Sequence, residues 1–116
     1  MLSVQGLCKR YGSTSVLDGV SFDLDAGRVL AIVGANGAGK STLLKSILGL
    51  VRFDGTVRLD GIDVARDGRK ARRRIGYLPQ HPAFHGDLTV LETVAFYARL
   101  RGVPAAQAPA AVEAVG

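Results

Sequence analysis

The chain has 116 residues, of which 47% are hydrophobic, and its fifteen basic and ten acidic residues give a net charge of +5. This apolar share is typical of a folded globular chain and excludes disorder driven by charge. No uninterrupted apolar stretch approaches the roughly 20 residues of a membrane-spanning helix, and the N-terminus lacks the basic and apolar segments of a secretory signal. Because the single cysteine, Cys8, cannot form an internal disulfide, we expect a cytosolic protein.

The first half of the chain is predicted to contain three strands before its main helix. Residues 2–7 alternate weakly and Val20–Leu24 alternates cleanly between apolar and polar side chains, as half-exposed strands do. Val29–Val33 is continuously apolar, which is typical of a strand buried on both faces of a parallel sheet. A glycine-rich segment follows, and Lys40–Leu50 then places its leucine and isoleucine side chains at helical spacing.

The middle of the chain continues with strand and turn signals. Thr56–Leu59 is predicted to be a strand, and Asp60–Gly61 a tight turn. Ile75–Leu78 is predicted to be a further strand, and the basic segment before it a short helix.

The last part of the chain is predicted to be helical. Thr89 and Glu92 have the Thr-x-x-Glu spacing of a capping box, so a helix should begin there and continue to about Arg101. Gly102 then ends it, and the alanine-rich residues 105–116 favour a second helix.

The positive charge is concentrated in the segment Arg66–Arg74. This segment carries six basic residues and one acidic residue, an excess equal to that of the whole chain. A basic patch of this kind indicates either a solvated surface or contact with nucleic acid or a membrane. No aromatic residue interrupts the arginines, which argues against binding of single-stranded nucleic acid.

One motif dominates the sequence. It satisfies the P-loop or Walker A pattern G-x-x-x-x-G-K-[ST] and runs Gly34-Ala35-Asn36-Gly37-Ala38-Gly39-Lys40-Ser41-Thr42. A polyphosphate needs many donors in a small volume, and glycines allow consecutive backbone N–H groups to converge on it. The predicted strand before the loop and the predicted helix after it supply the required setting, with the positive end of the helix dipole directed at the phosphates.

Three side chains of this motif have predicted roles of their own. Lys40 places a full positive charge between the β- and γ-phosphates, and Ser41 offers a hydroxyl to Mg²⁺. Thr42 is predicted to bond the α-phosphate.

A dinucleotide-binding fingerprint would need glycines at i, i+2 and i+5, which are absent from this turn. The sequence therefore predicts binding of a nucleoside triphosphate, with ATP and Mg²⁺ as the ligands.

Over nearly all of its length the chain resembles the N-terminal part of an ATP-binding subunit of an ABC transporter. The matching segments are Lys9–Gly12, Val16–Phe22, the P-loop, Ile75–Gln80 and 88–100. The resemblance implies an α/β fold, a P-loop NTPase core with an N-terminal antiparallel β portion, truncated in its helical subdomain. Residues 1–116 would form a partial nucleotide-binding domain, with 1–87 as the ATP-binding core and 88–116 as the start of the helical subdomain. The sequence of residues 88–100 is more similar to exporter-type than to importer-type subunits.

The same resemblance implies roles for residues outside the P-loop. Tyr11 would stack on adenine, which suits a flat aromatic face, and Val16 would line the same pocket. Gln80 would coordinate Mg²⁺ or the attacking water through its carbonyl, so that Lys40 and Gln80 are the expected catalytic residues. The loop after Gln80 would face a transmembrane permease subunit, and two nucleotide-binding domains would dimerise on the cytoplasmic face of the membrane. Nucleic acid is not expected as a partner.

Two elements that the family uses for hydrolysis are not found in the 116 residues. There is no apolar strand ending in Asp-Glu, the Walker B element, and no Leu-Ser-Gly-Gly-Gln signature. We therefore expect a truncated chain that turns over little ATP by itself, as part of a parent ATPase. Two alternatives remain open at this point: a soluble ABC-type ATPase acting on ribosomes or nucleic acid, and a nucleotide-binding regulator that does not hydrolyse ATP.

Overall fold

The computed structural model describes residues 1–35, 37, 39–78 and 86–115. Their contacts divide the chain into two compact units, Met1–Gly76 and Tyr77–Gly116. The first unit contains a four-stranded sheet in the order β2-β1-β3-β4, in which every neighbouring pair is antiparallel. The strands are β1 (Leu2–Tyr11), β2 (Thr14–Leu24), β3 (Asp54–Leu59) and β4 (Ile62–Asp63). The antiparallel N-terminal portion predicted from the sequence is thus confirmed.

The hairpin of β3 and β4 is closed by a turn that the sequence encodes locally. Asp60 and Gly61 connect β3 to β4 with φ of 49° and 80°, and positive φ at both central residues matches the right-handed twist of the flanking strands. The predicted tight turn is confirmed at these two residues. Met1 extends the pairing, because its carbonyl accepts a 2.9 Å hydrogen bond from the Asp60 amide.

Two helices pack with this sheet in the first unit. Helix α1 (Lys40–Ile47) begins as predicted at Lys40, and helix α2 (Gly68–Arg72) occupies the basic segment. α1 ends earlier than the predicted Leu50, because Gly49 adopts φ of 71° and the amide of Leu50 turns back to the carbonyl of Lys45 at 2.9 Å. The core is formed by buried apolar side chains of both layers, namely Val4, Leu7, Leu17, Leu43, Ile47, Val57, Val64 and Ala71.

The described residues of the second unit contain helices. These are α3 (Val90–Leu100), a 3₁₀ turn (Ala105–Gln107) and α4 (Ala108–Ala114). The predicted capping box is present, since the Thr89 hydroxyl accepts from the Glu92 amide and the Glu92 carboxylate accepts from the Thr89 amide, both at 3.1 Å. Gly102 has φ of 73° and follows the end of α3, as expected. No helix in the described ranges is long and apolar enough to cross a membrane.

Two predicted strands are wrong. Val29–Val33 lies outside any strand, and Val29 and Val33 are 96% and 88% exposed instead of buried. Ile75–Leu78 is likewise outside any strand, with Leu78 77% exposed. The physical reason is that a strand needs a hydrogen-bonded neighbour, and within the described residues the four-stranded sheet pairs with neither segment. The apolar composition of both segments predicted strands, but composition does not determine whether a neighbouring strand is there to pair with them.

Candidate functional site

The glycine-rich loop leads directly into helix α1. Gly34, Ala35 and Gly37 are exposed, whereas Gly39 is buried at the start of the helix. Asn36 and Ala38, which the motif also includes, lie outside the described residues. The described residues of the loop before Gly39 are therefore exposed, and the loop is anchored to the fold at Gly39.

Gly39 begins the helix through its backbone conformation and not through a side-chain cap. It is the N-cap of α1 with φ of 97°, and no side chain caps the first turn. Its carbonyl accepts the first intrahelical bond from the Leu43 amide at 2.8 Å. The amides of Lys40–Thr42 precede that bond, so they have no acceptor within the helix. No acidic residue stands in the first turn, so no carboxylate of that turn competes for the positive end of the helix dipole.

The side chains of this first turn lie where a phosphate chain could be held. The Lys40 ammonium donates a hydrogen bond to the carbonyl of Gly34, the first residue of the loop. The Lys40 side chain therefore reaches from the end of the loop back to its beginning. The Ser41 side chain is exposed, and Thr42 is half-buried. A cation bonded to the loop, an exposed hydroxyl and first-turn amides without an acceptor in the helix form a donor set that matches a polyphosphate and a phosphate-bound divalent cation.

Val16 contacts the base of this loop because β2 contains a bulge. Lys9 pairs with Leu17, whereas the next residue of β1, Arg10, pairs with Ser15, so Val16 has no partner on β1. The extra residue of a bulge is displaced from the ladder. Here its carbonyl oxygen and Cγ1 lie 2.9 Å and 3.2 Å from the position that a Cβ on Gly39 would occupy. The bulge thus brings Val16 against the loop.

Tyr11 stands at the end of β1, beside the same part of β2. It pairs with Thr14, which lies two residues before Val16 on β2. Its side chain is 49% exposed. The Lys9 ammonium lies 5.0 Å from the centroid of the Tyr11 ring. The hairpin therefore presents an accessible aromatic ring with a cation on one of its faces.

The structure brings Val16 against Gly39, next to Lys40, and Tyr11 lies on β1, the strand that pairs with the strand of Val16. Gln80 lies outside the described residues. Two contributors were missed by the sequence reasoning: Leu17, whose Cδ2 lies 3.2 Å from the same Cβ position, and Lys9. The spacing of Lys9 and Tyr11, two residues apart on a strand and hence on one face, was the signal available for Lys9.

Part of the basic segment is used inside the fold. The half-buried Arg72 donates to the carbonyl of Leu48 at 3.0 Å, at the C-terminal end of α1. Arg74 donates to Asp60 at 3.2 Å, and the N-terminal ammonium of Met1 lies 2.6 Å from the other oxygen of Asp60. The bond and charge of that ammonium, followed by those of Arg74, hold the pKa of Asp60 below its usual value. Arg66, Arg69 and Lys70 are exposed, as on a solvated surface.

A divalent cation at this site would depend on the nucleotide for most of its ligands. Within the described ranges no three histidine, cysteine or acidic side chains are grouped so that they could hold a metal ion. Mg²⁺ commonly binds through substrate phosphates with few protein ligands. The exposed Ser41 hydroxyl, directly after Lys40, fits that mode of binding.

The fold and the loop define a nucleotide-binding protein of the P-loop class. Comparison with known proteins gives the family: a model of the ABC transporter family matches residues 17–116. The chain belongs to the ABC transporter family, as the sequence resemblance indicated.

The relatives include proteins for both directions of transport. The chain is 42% identical over 107 residues to the Nod factor export ATP-binding protein I of Ralstonia nicotianae, covering 91% of this chain and 33% of that protein. It is 44% identical over 101 residues to the sulfate/thiosulfate import ATP-binding protein CysA of Burkholderia mallei, covering 86% of this chain and 28% of that protein. The chain thus spans about a third of the length of these curated relatives.

A solved structure supports the same fold. The ATP-binding subunit of an ABC transporter superimposes with a TM-score of 0.80 at 34% sequence identity. The match covers 91% of this chain and 45% of that subunit. The predicted class, an α/β P-loop fold with an antiparallel β portion, is therefore confirmed.

Proposed function

We propose that this chain is the nucleotide-binding part of an ATP-hydrolysing motor subunit of an ABC membrane transporter. The observation that carries the proposal is the start of α1, where Gly39 leaves the first-turn amides without a capping side chain and Lys40 spans the loop. Family membership and the names of the relatives, all ATP-binding proteins of transport systems, support ATP as the nucleotide.

Each residue of the site has a defined task in this proposal. The amides of the loop and of the first turn bind the phosphate oxygens, and the Lys40 ammonium neutralises charge at the β- and γ-phosphates. Tyr11 stacks on adenine, and Val16 lines the pocket beside it. Thr42 bonds the α-phosphate.

Ser41 and Gln80 are the proposed ligands of Mg²⁺ from this chain. Mg²⁺ bound there would supply positive charge that offsets the negative charge developing on the phosphates during phosphoryl transfer. The Ser41 hydroxyl would hold the ion from the protein side, and the Gln80 carbonyl would add a neutral oxygen ligand. Lys40 and Gln80 are thus the proposed catalytic residues.

Binding of MgATP to Lys40 variants tests the proposal directly. Lys40→Ala should weaken the affinity about 10- to 100-fold, because it removes a charge-assisted bond to phosphate worth about 1.5–3 kcal/mol. Lys45→Ala, which removes an exposed lysine from the same helix, is the matched control and should bind like the wild type. Equal affinity of the wild type and Lys40→Ala in titration calorimetry would contradict the proposal.

Turnover is a separate question from binding. Since the 116 residues include neither a Walker B element nor a signature motif, we expect the chain by itself to hydrolyse little ATP. Hydrolysis by the 116-residue chain that Lys40→Ala abolishes would show that these elements are dispensable here.

The partners are proposed from the same family. A transmembrane permease subunit would contact the loop after Gln80, and a second nucleotide-binding domain would complete the dimer on the cytoplasmic face of the membrane. Co-purification with a membrane subunit would support this arrangement.

Two results would support the alternative functions. Affinity for RNA or DNA with a steep salt dependence would support the ribosome or nucleic-acid alternative. Tight ATP binding without turnover in the complete protein would support a regulator. Because relatives act in export and in import, the exporter-type preference stays a prediction.

A further inference from the structure

We infer that Lys9 is a positioning residue for base recognition, which it performs by occupying one face of the Tyr11 ring. The inference rests on the proposed function, in which adenine stacks on Tyr11. The Lys9 ammonium lies 5.0 Å from the ring centroid, within the range at which a cation is attracted to an aromatic face.

The backbone places the two side chains together. The register shift in this part of the sheet comes from an extra residue in β2, Val16. β1 itself has no bulge between Lys9 and Tyr11. Residues at i and i+2 of a regular strand lie on the same face of the sheet. Arg10, between them, is held elsewhere by a 3.0 Å hydrogen bond from its guanidinium to the carbonyl of Ser13. The contact between Lys9 and Tyr11 therefore follows from strand geometry.

The charge of Lys9 is available to the ring. Both ion pairs found among the described residues involve Asp60, so no carboxylate in that part of the chain lies within 4 Å of the Lys9 ammonium. The Lys9 side chain is half-buried. A lysine that is partly desolvated and not neutralised by a carboxylate interacts more strongly with an aromatic face than a fully hydrated one.

Two consequences for nucleotide binding follow. The cation covers one ring face and leaves the other for the base, which fixes the side on which adenine stacks. It also draws π-electron density toward itself, so the opposite face is less negative and repels the π-face of adenine less. Lys9 thereby raises the affinity for the base without touching the nucleotide.

The test compares MgATP with inorganic tripolyphosphate, which has the phosphates but no base. Lys9→Met should weaken binding of MgATP about two- to fivefold, the equivalent of an exposed cation–π contact. Binding of tripolyphosphate should be unchanged, and Lys9→Arg should retain the wild-type affinity for MgATP. Lys70→Met, which removes an exposed lysine from α2, controls for the loss of net charge. The NMR resonances of the Tyr11 ring should shift in Lys9→Met without any ligand.

The outcomes separate this inference from the proposed function. In a Tyr11→Leu background, Lys9→Met should have no further effect on MgATP affinity. If Tyr11→Leu leaves MgATP affinity unchanged, the adenine role of Tyr11 is wrong and the role of Lys9 is wrong with it. If Tyr11→Leu weakens binding but Lys9→Met does not, only the role of Lys9 is overturned. Equal weakening of MgATP and tripolyphosphate by Lys9→Met would also overturn it, because Lys9 would then act on the phosphates.

Discussion

The carbonyl oxygen of Val16 lies 2.9 Å from the position that a Cβ on Gly39 would occupy, so β2 closes directly on the start of α1. Val16 is the bulge residue of β2, and Gly39 is the N-cap of the helix that follows the phosphate-binding loop. The sheet and the loop are therefore joined at a point where only a glycine fits. Any side chain at this position must move Val16, the helix or both.

Gly39→Ala should destabilise the protein by at least about 2 kcal/mol. Positive φ costs an alanine roughly 1–2 kcal/mol, and the contact with Val16 adds overpacking. Gly37→Ala is the matched control, because Gly37 has φ of 83° but, apart from its chain neighbours, no atom of the described residues lies within 4 Å of its Cβ position. Chemical denaturation should give the larger loss of unfolding free energy for Gly39→Ala. Equal losses in the two variants would show that the close approach of Val16 contributes nothing.

Asp60 should make stability depend on acidity. The N-terminal ammonium and Arg74 lower the pKa of Asp60 from its ordinary 3.8, so the folded state favours the carboxylate. When folding lowers the pKa of a carboxyl group, its full contribution to stability is present above the pKa of the unfolded chain. That contribution is lost as the pH falls through the pKa of the folded chain. Asp60→Asn should therefore lower the urea midpoint at pH 7, and its difference from the wild type should shrink below about pH 4.

The control for this effect is Asp25→Asn, which changes an exposed aspartate in the turn after β2. That variant should follow the wild type across the pH range. A difference between Asp60→Asn and the wild type that persists unchanged at pH 2 would show that charge is not its source.

Thr89→Ala should weaken the start of α3. The variant removes the hydroxyl that accepts from the Glu92 amide at 3.1 Å, and loss of an N-cap costs about 1 kcal/mol. Thr89→Ser keeps the hydroxyl and should keep most of the stability. Backbone chemical shifts of residues 90–93 provide the measurement. Helical shifts that are identical in the alanine and serine variants would contradict the role of the cap.

Arg72→Met should destabilise the junction of α1 and α2. The guanidinium of Arg72 is half-buried and bonds the carbonyl of Leu48 at 3.0 Å, and a hydrogen bond from a charged group contributes about 1.5–3 kcal/mol. Arg69→Met removes the same charge from an exposed position of the same helix and should stay within about 0.5 kcal/mol of the wild type. Equal unfolding free energies for Arg72→Met and Arg69→Met would contradict a stabilising role for the hydrogen bond from Arg72 to Leu48.

The sequence by itself determined the features that depend on a few neighbouring residues. The glycine-rich loop before α1, the turn at Asp60 and Gly61, and the capping box of Thr89 and Glu92 are each specified over at most nine residues. Steric freedom of glycine and hydrogen bonds between near neighbours decide them. Such interactions do not depend on the rest of the fold, so they could be predicted without it.

The tertiary structure alone decided what depends on distant parts of the chain. The exposure of Val29–Val33 could not be predicted from its apolar composition, because burial as a strand requires a neighbour that composition does not specify. The bulge that presses Val16 against Gly39 depends on the register between β1 and β2. Register and strand pairing are set by contacts between separate segments, and these exist only once the chain has folded.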